Sequence, residues 1–222
     1  MLIQSLVYPG FTTLDLIGAL QPLSQIPDSK TEIVAKVMGA NPTDSGAAIM
    51  ADATFETAAA NPDILLVPGG GKPAIDVLED AETMAFLAKQ GETATWIVAV
   101  CTGSLLLGKA GLLNGYRAAS HWAAIDTLDA FGATPVHERV VIDRNRCTGG
   151  GVTAGVDIGL TIAGKVAGDT AARAIELVLE YNPAPPYGTG HPTLADETTL
   201  AFARARADGS MPAERIRKIA AA

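Results

Sequence analysis

Apolar residues in this chain fall into short continuous runs that alternate with stretches of helical spacing. Leu2 to Val7 is an apolar run stopped by Pro9-Gly10, Glu32 to Val37 a second, Ile64-Leu65-Leu66-Val67 a third and Thr95 to Val100 a fourth. Runs of this length that are apolar without alternation read as strands buried on both faces of a parallel sheet. Between them the spacing widens. Leu16, Ala19, Leu20 and Leu23 share one helical face behind possible caps at Thr12 and Thr13. Lys72-Pro73 opens a short helix, Ala81 to Gln90 presents Met84, Ala85, Leu87 and Ala88, and the spacing from Ser104 runs on to Ala110 and Leu113. Further on, Arg117 to His121 reads as a short strand, Ala123 to Phe131 as a helix, and Val140 to Thr148 as a hairpin turning at Asp143-Arg144-Asn145. Helices Thr153 to Val166 and Thr170 to Glu180 follow, then a stiff proline-rich arm from Tyr181 to Pro192, then a helical tail. Strand and helix in alternation predict a layered α/β domain over residues 1–190, with a helical extension over 191–222, packed on or trailing from the same domain, that carries Arg204, Arg206, Arg215, Arg217 and Lys218; a solvated tail is the favoured of the two.

A length of 222 residues suits one domain with a full core. The net charge of −8 opposes nucleic acid and anionic membrane as partners, because phosphate binding needs concentrated Lys and Arg. No uncharged apolar run is long enough to span a bilayer, and the opening Met1-Leu2-Ile3 lacks a basic leader region, so a soluble, cytoplasmic protein is expected. Two cysteines and three scattered histidines make neither a disulfide framework nor a zinc spacing, and no metal is implied.

Candidate chemistry gathers where the fourth run gives way to helix, at Val100-Cys101-Thr102-Gly103-Ser104. A cysteine on a tight strand-to-helix turn stands out from the sheet beside free backbone N–H groups, which stabilises a thiolate or an anion formed next to it. Asp15 lies just past the carboxyl end of the first strand. Ligands of open α/β sheets bind outside those ends, so Asp15 and Cys101 are able to meet there; the equally weighted reading makes Asp15 a dipole partner for its own helix. The run Pro68-Gly69-Gly70-Gly71 lets backbone amides approach a ligand closely. Cys147 sits in the hairpin behind polar residues and reads as packing, and His121 as a hydrogen-bonded histidine beside Trp122. Val152, Thr153 and Tyr181 are expected to wall the pocket or a contact between subunits.

Pro68-Gly69-Gly70, the Ala99-Val100-Cys101-Thr102-Gly103 elbow, Ala119-Ser120-His121-Trp122 and Thr148-Gly149-Gly150-Gly151 together resemble the ThiJ/PfpI superfamily, over Leu2 to about Pro186. Leu14-Asp15-Leu16 and the threonine after the cysteine are most similar to its isocyanide-hydrating branch. The resemblance implies a flavodoxin-like three-layer sandwich and cofactor-free hydration of an isocyanide. In that chemistry Cys101 is the nucleophile, Asp15 the general acid and base, and the Gly70, Gly71 and Thr102 amides hold developing negative charge. It also implies a homodimer. Glyoxal-consuming or deglycating activity, and a non-catalytic sensing role, are the alternatives that the same superfamily offers.

Overall fold

The computed structural model describes residues Met1–Ala222. In chain order the elements are β1 (Leu2–Leu6), α1 (Thr13–Leu23), β2 (Lys30–Ala35), β3 (Gly39–Pro42), β4 (Ala48–Ala51), β5 (Ala53–Thr54), β6 (Ile64–Val67), α2 (Lys72–Val77), α3 (Ala81–Gly91), β7 (Trp96–Val100), α4 (Gly103–Lys109) and β8 (Arg117–Ala118). A 3-10 helix (Ile125–Phe131) follows, then β9 (Thr134–Pro135), β10 (Val140–Asp143), β11 (Arg146–Gly149), α5 (Ala154–Ala167), α6 (Asp169–Val178), α7 (Glu197–Ser210) and α8 (Ala213–Ala221).

Seven strands form one sheet in the order β10-β11-β7-β6-β1-β2-β5, parallel throughout except for the β10–β11 hairpin at one edge. The central strands are the ones whose sequences lack alternation, and β6 is buried along its whole length. Both of its faces are covered, by α1 and α5 on one side and by α2, α3 and α4 on the other, which gives the expected flavodoxin-like sandwich. Register brings Val67 beside Ala99 and Val100 beside Gly149, so β6, β7 and β11 end at one level. No helix is long and apolar enough to cross a membrane.

Four local expectations are corrected. Helix α1 is not capped by Thr12 or Thr13; the Asp44 carboxylate accepts from the Thr13 N–H at 3.0 Å, a partner from a loop far along the chain. The buried face of α3 is Thr83, Phe86, Leu87 and Gln90 with Met84, while Ala85 is exposed, because Phe86 stacks on Phe55 and turns the helix towards it. The helix expected over Ala123 to Phe131 starts two residues later, at Ile125, and is 3-10, ended by Gly132 in the left-handed region (φ 74°). Finally, of the two arrangements expected for the end of the chain, α8 takes the packed one and not the favoured solvated tail. Helix α8 buries Ile216 and Ile219, Arg215 reaches Asp76 and Glu79, Arg217 reaches Asp129, and Lys109 donates to the Ile219 carbonyl. The basic residues that look like a charged surface in the sequence are the partners that dock this helix.

Ile216 is fully buried, so Ile216→Ala should destabilise the protein by about 2–4 kcal/mol in urea unfolding, whereas truncation on a solvated tail would change stability by less than about 0.5 kcal/mol.

Candidate active site

The site is built where β1, β6 and β7 end. Cys101 occupies the turn between β7 and α4 with φ +58°, a left-handed conformation uncommon outside glycine. Its neighbours fix it there. The Cys101 N–H donates to the Gly150 and Gly149 carbonyls at 2.9 and 3.2 Å, and its own carbonyl accepts from Ser104 Oγ and Ser120 Oγ, both at 3.1 Å. The loop after β6 lies directly on this elbow. A Cβ at Gly103 would stand 2.2 Å from the Val67 carbonyl oxygen, and one at Gly69 2.5 Å from the Thr102 nitrogen, so both positions need glycine for close approach.

Two polar contacts tie that loop down. Thr102 Oγ1 donates to the Gly70 carbonyl at 2.6 Å and accepts from the Gly70 N–H at 2.8 Å. Asp15 Oδ2 accepts from the Gly69 N–H at 3.0 Å, and the Thr12 N–H returns to the Gly69 carbonyl at 3.0 Å. Asp15 thus turns inward from the first turn of α1 and is fully buried, while Oδ1, its second oxygen, has no hydrogen-bond partner. Burial raises the Asp15 carboxyl to about 7, against the opposing pull of the Gly69 N–H and of Cys101. Burial also pushes the Cys101 thiol well up, and the neighbouring Asp15 charge adds to it, while the Thr102 N–H and hydroxyl favour the thiolate. The two groups titrate as a pair in which protonated forms are favoured near neutral pH.

Of the amides expected to hold negative charge, Gly70 is corrected: its N–H is already used by the Thr102 hydroxyl. The Gly71 and Thr102 N–H groups donate to no backbone oxygen. Of the two places expected for Tyr181, it does not take the one at the wall of the Cys101 site. Its hydroxyl donates to the Asp157 carboxylate at 3.2 Å, in a cluster where Arg139 pairs with Asp157 and with Thr153. Tyr181 and Asp157 border a groove of about 510 Å³ between α5 and α6 that does not include Cys101. Thr153 belongs to the Arg139 cluster and is exposed; Val152, half-buried, lies between it and the glycines after β11. His121 accepts from the Ala123 N–H at 3.2 Å, makes no bond to Cys101, and is lowered by burial alone. Cys147 is sealed in β11 and pushed up to about 12 by burial, the behaviour of a packing residue.

Sequence reading missed Tyr8. It sits two residues beyond β1, buried, with its hydroxyl donating to the Pro68 carbonyl at 3.2 Å and raised by burial, then by Asp15 and Cys101. An aromatic at the end of an apolar run looks like core. The available signal was its position at the carboxyl edge of the sheet, beside Pro9-Gly10.

The DJ-1/PfpI family model matches residues 3–165. The chain is 41% identical over 206 residues to the isonitrile hydratase of Pseudomonas putida, covering 93% of this chain and 90% of that protein. A ThiJ/PfpI family crystal structure from Pseudomonas syringae superposes with a TM-score of 0.95 at 40% identity, covering 99% of this chain and 90% of the other. Schizosaccharomyces pombe DJ-1 shares the fold, with a TM-score of 0.71 at 18% identity over 82% of this chain and 100% of its own. With its buried acid facing a cysteine on a strained elbow, this chain belongs to the DJ-1/PfpI family.

Proposed function

We propose that this protein hydrates an organic isocyanide to the N-substituted formamide, with Cys101 as nucleophile and Asp15 as proton carrier. The observation that carries the reading is the buried Asp15 carboxyl facing Cys101, with one oxygen unpartnered and its titration raised to about 7. The likeness to a protein named isonitrile hydratase over most of both chains supports it. An isocyanide accepts both a nucleophile and a proton at its terminal carbon. Sulfur bonds to that carbon as Asp15 delivers a proton to it, and the thiol proton restores the acid, leaving a thioimidate, R–N=CH–S. Water then adds to the same carbon, one of its protons passing through Asp15 to nitrogen. The C–S bond breaks, the remaining hydroxyl proton returns to sulfur, and R–NH–CHO leaves. The Thr102 and Gly71 amides face charge developing in these steps.

Turnover of an alkyl isocyanide should vanish in Cys101→Ala and fall about 10²- to 10⁴-fold in Asp15→Asn. Methylglyoxal offered in parallel should be left untouched; removal of methylglyoxal at a comparable rate, with the isocyanide unchanged, would replace this reading.

Because Asp15 must carry a proton at the start, kcat/KM should decline as pH rises through about 7. The same group makes stability pH-dependent. An exposed aspartate loses its proton near 3.8 and the folded one near 7, so between these values the native state holds the extra proton and stability falls as pH rises. Asp15→Asn removes this dependence, and its stability relative to the native sequence should increase by about 2–4 kcal/mol between pH 4.5 and pH 8.

We infer also that the protein acts as a homodimer, a reading supported by Leu177 and Val178, which stand 81% and 74% exposed at the end of α6. Sedimentation should give twice the chain mass of 22.8 kDa, and Leu177→Asp with Val178→Asp should return it to one chain.

A further inference from the structure

The loop after β6 is held one peptide at a time. In the Gly69–Gly70 peptide the carbonyl accepts from the Thr12 N–H at 3.0 Å and the N–H donates to Thr102 Oγ1 at 2.8 Å. The Pro68–Gly69 peptide before it is held at both ends by side chains. Its carbonyl accepts from the Tyr8 hydroxyl at 3.2 Å, and its N–H donates to Asp15 Oδ2 at 3.0 Å. A trans amide is planar and conjugated, with its C=O and N–H pointing to opposite sides. Tyr8 and Asp15 therefore lie on opposite sides of one peptide plane, joined as O–H···O=C–N–H···O, and whatever fixes one end of that plane fixes the other.

Tyr8 stands on a turn that its sequence determines. Tyr8-Pro9-Gly10-Phe11 closes with the Phe11 N–H on the Tyr8 carbonyl at 3.2 Å, with proline second and a glycine at φ +82° third, the composition of a type II turn. The Gly10 N–H donates to the Pro42 carbonyl at 2.7 Å, which pins the turn to β3. The Tyr8 ring packs edge-on against Phe11 with centroids 6.0 Å apart, a contact that phenylalanine would make as well. What tyrosine adds is a buried hydroxyl, and burying one is costly unless it is bonded. Its acceptor is the Pro68 carbonyl. Burial and the neighbouring Asp15 and Cys101 charges hold the phenol protonated, so it stays a donor whatever the state of the acid. A donor on the amide oxygen draws electron density towards it and makes the N–H of the same amide a stronger donor. Gly69 is the single backbone donor to Asp15, and Oδ1 has no partner to compensate a change there.

We propose that Tyr8 is a positioning residue for Asp15: through the Pro68–Gly69 peptide its hydroxyl orients and strengthens the N–H that holds the acid, and so sets the pH at which Asp15 releases its proton. The relay stands on its own geometry, and its effect on turnover rests on the isocyanide reading. Besides Tyr8, the titratable groups facing Asp15 are Cys101 on the elbow and Asp44 between β3 and β4, and Tyr8→Phe leaves both in place. The full-length protein, ¹³C-labelled at its aspartate carboxyls, is titrated by NMR, the Asp15 signal being the one missing from Asp15→Asn. A weaker donor stabilises the carboxylate less, so the midpoint, about 7 in the unmodified chain, should rise in Tyr8→Phe. The rise should be about 0.3–0.6 pH unit, which is about a two- to four-fold tighter hold on the proton, and the Gly69 amide proton should move upfield. A 3-fluorotyrosine in place of Tyr8, nearly isosteric and a stronger donor, should move both signals the opposite way, and it decides the matter if Tyr8→Phe does not fold. A merely structural role would lower the unfolding temperature and move neither signal; an unmoved midpoint and amide proton in either folded variant would overturn the proposal. In turnover of an alkyl isocyanide the alkaline limb of kcat/KM should move up with the Asp15 midpoint. A displaced midpoint in Tyr8→Phe, with no isocyanide turnover by the unmodified protein, strikes the reaction and leaves the relay standing.

Discussion

The hydrogen bond from the Gly69 N–H to the Asp15 carboxylate is the contact on which the site depends. It joins the first turn of α1 to the loop after β6, and that loop is in turn clasped to the elbow by the reciprocal pair between Thr102 and Gly70. Three segments far apart in sequence are thereby held within one small volume at the sheet's carboxyl edge. A buried acid with a single backbone donor is under-satisfied, and its second oxygen has no protein partner at all. Such a group keeps its proton to about neutral pH.

The rest of the fold supplies the rigidity that this arrangement requires. A cysteine with φ +58° persists only if its surroundings over-determine it, and here β11 takes its N–H while two serines from different segments take its carbonyl. The strands that deliver these partners are buried on both faces and paired in parallel register, so none of them moves without disturbing the sandwich. Helix α8 completes the face behind the 3-10 helix, with its arginines paired to the acids of α2 and of that helix, which is why the end of the chain belongs to the body.

What the sequence disclosed follows a physical rule. Short apolar runs announce central strands because burial on two faces leaves no alternation, and the elbow is announced by a change of period at one residue. Glycines that permit loop-to-loop contact are visible as a run, but which of their amides stay free is not, since Gly70 loses its N–H to a threonine side chain thirty-two positions away. The same limit explains Tyr8 and Tyr181. One reads as core yet borders the acid, and the other, which reads as a pocket wall or a contact between subunits, holds an ion pair on α5. The buried face of α3 is set by one aromatic contact, Phe86 on Phe55, which periodicity alone does not weigh.

Burial at this site works against ordinary cysteine catalysis, because it suppresses the thiolate that most cysteine enzymes expose beside a positive charge. The proposed substrate removes the conflict. An isocyanide must gain sulfur and a proton at one carbon, so a site that holds both protons until the substrate arrives has the reagents in the required form. Lowering the thiol by a nearby cation would release its proton early and leave Asp15 to supply the only one. Here the Thr102 amide and hydroxyl favour charge on sulfur at the moment it transfers, while desolvation keeps that charge from forming in the resting state. The shielded elbow and the half-satisfied acid are then parts of one requirement of the proposed reaction, that proton and nucleophile reach the same atom with bulk water kept out until the second step.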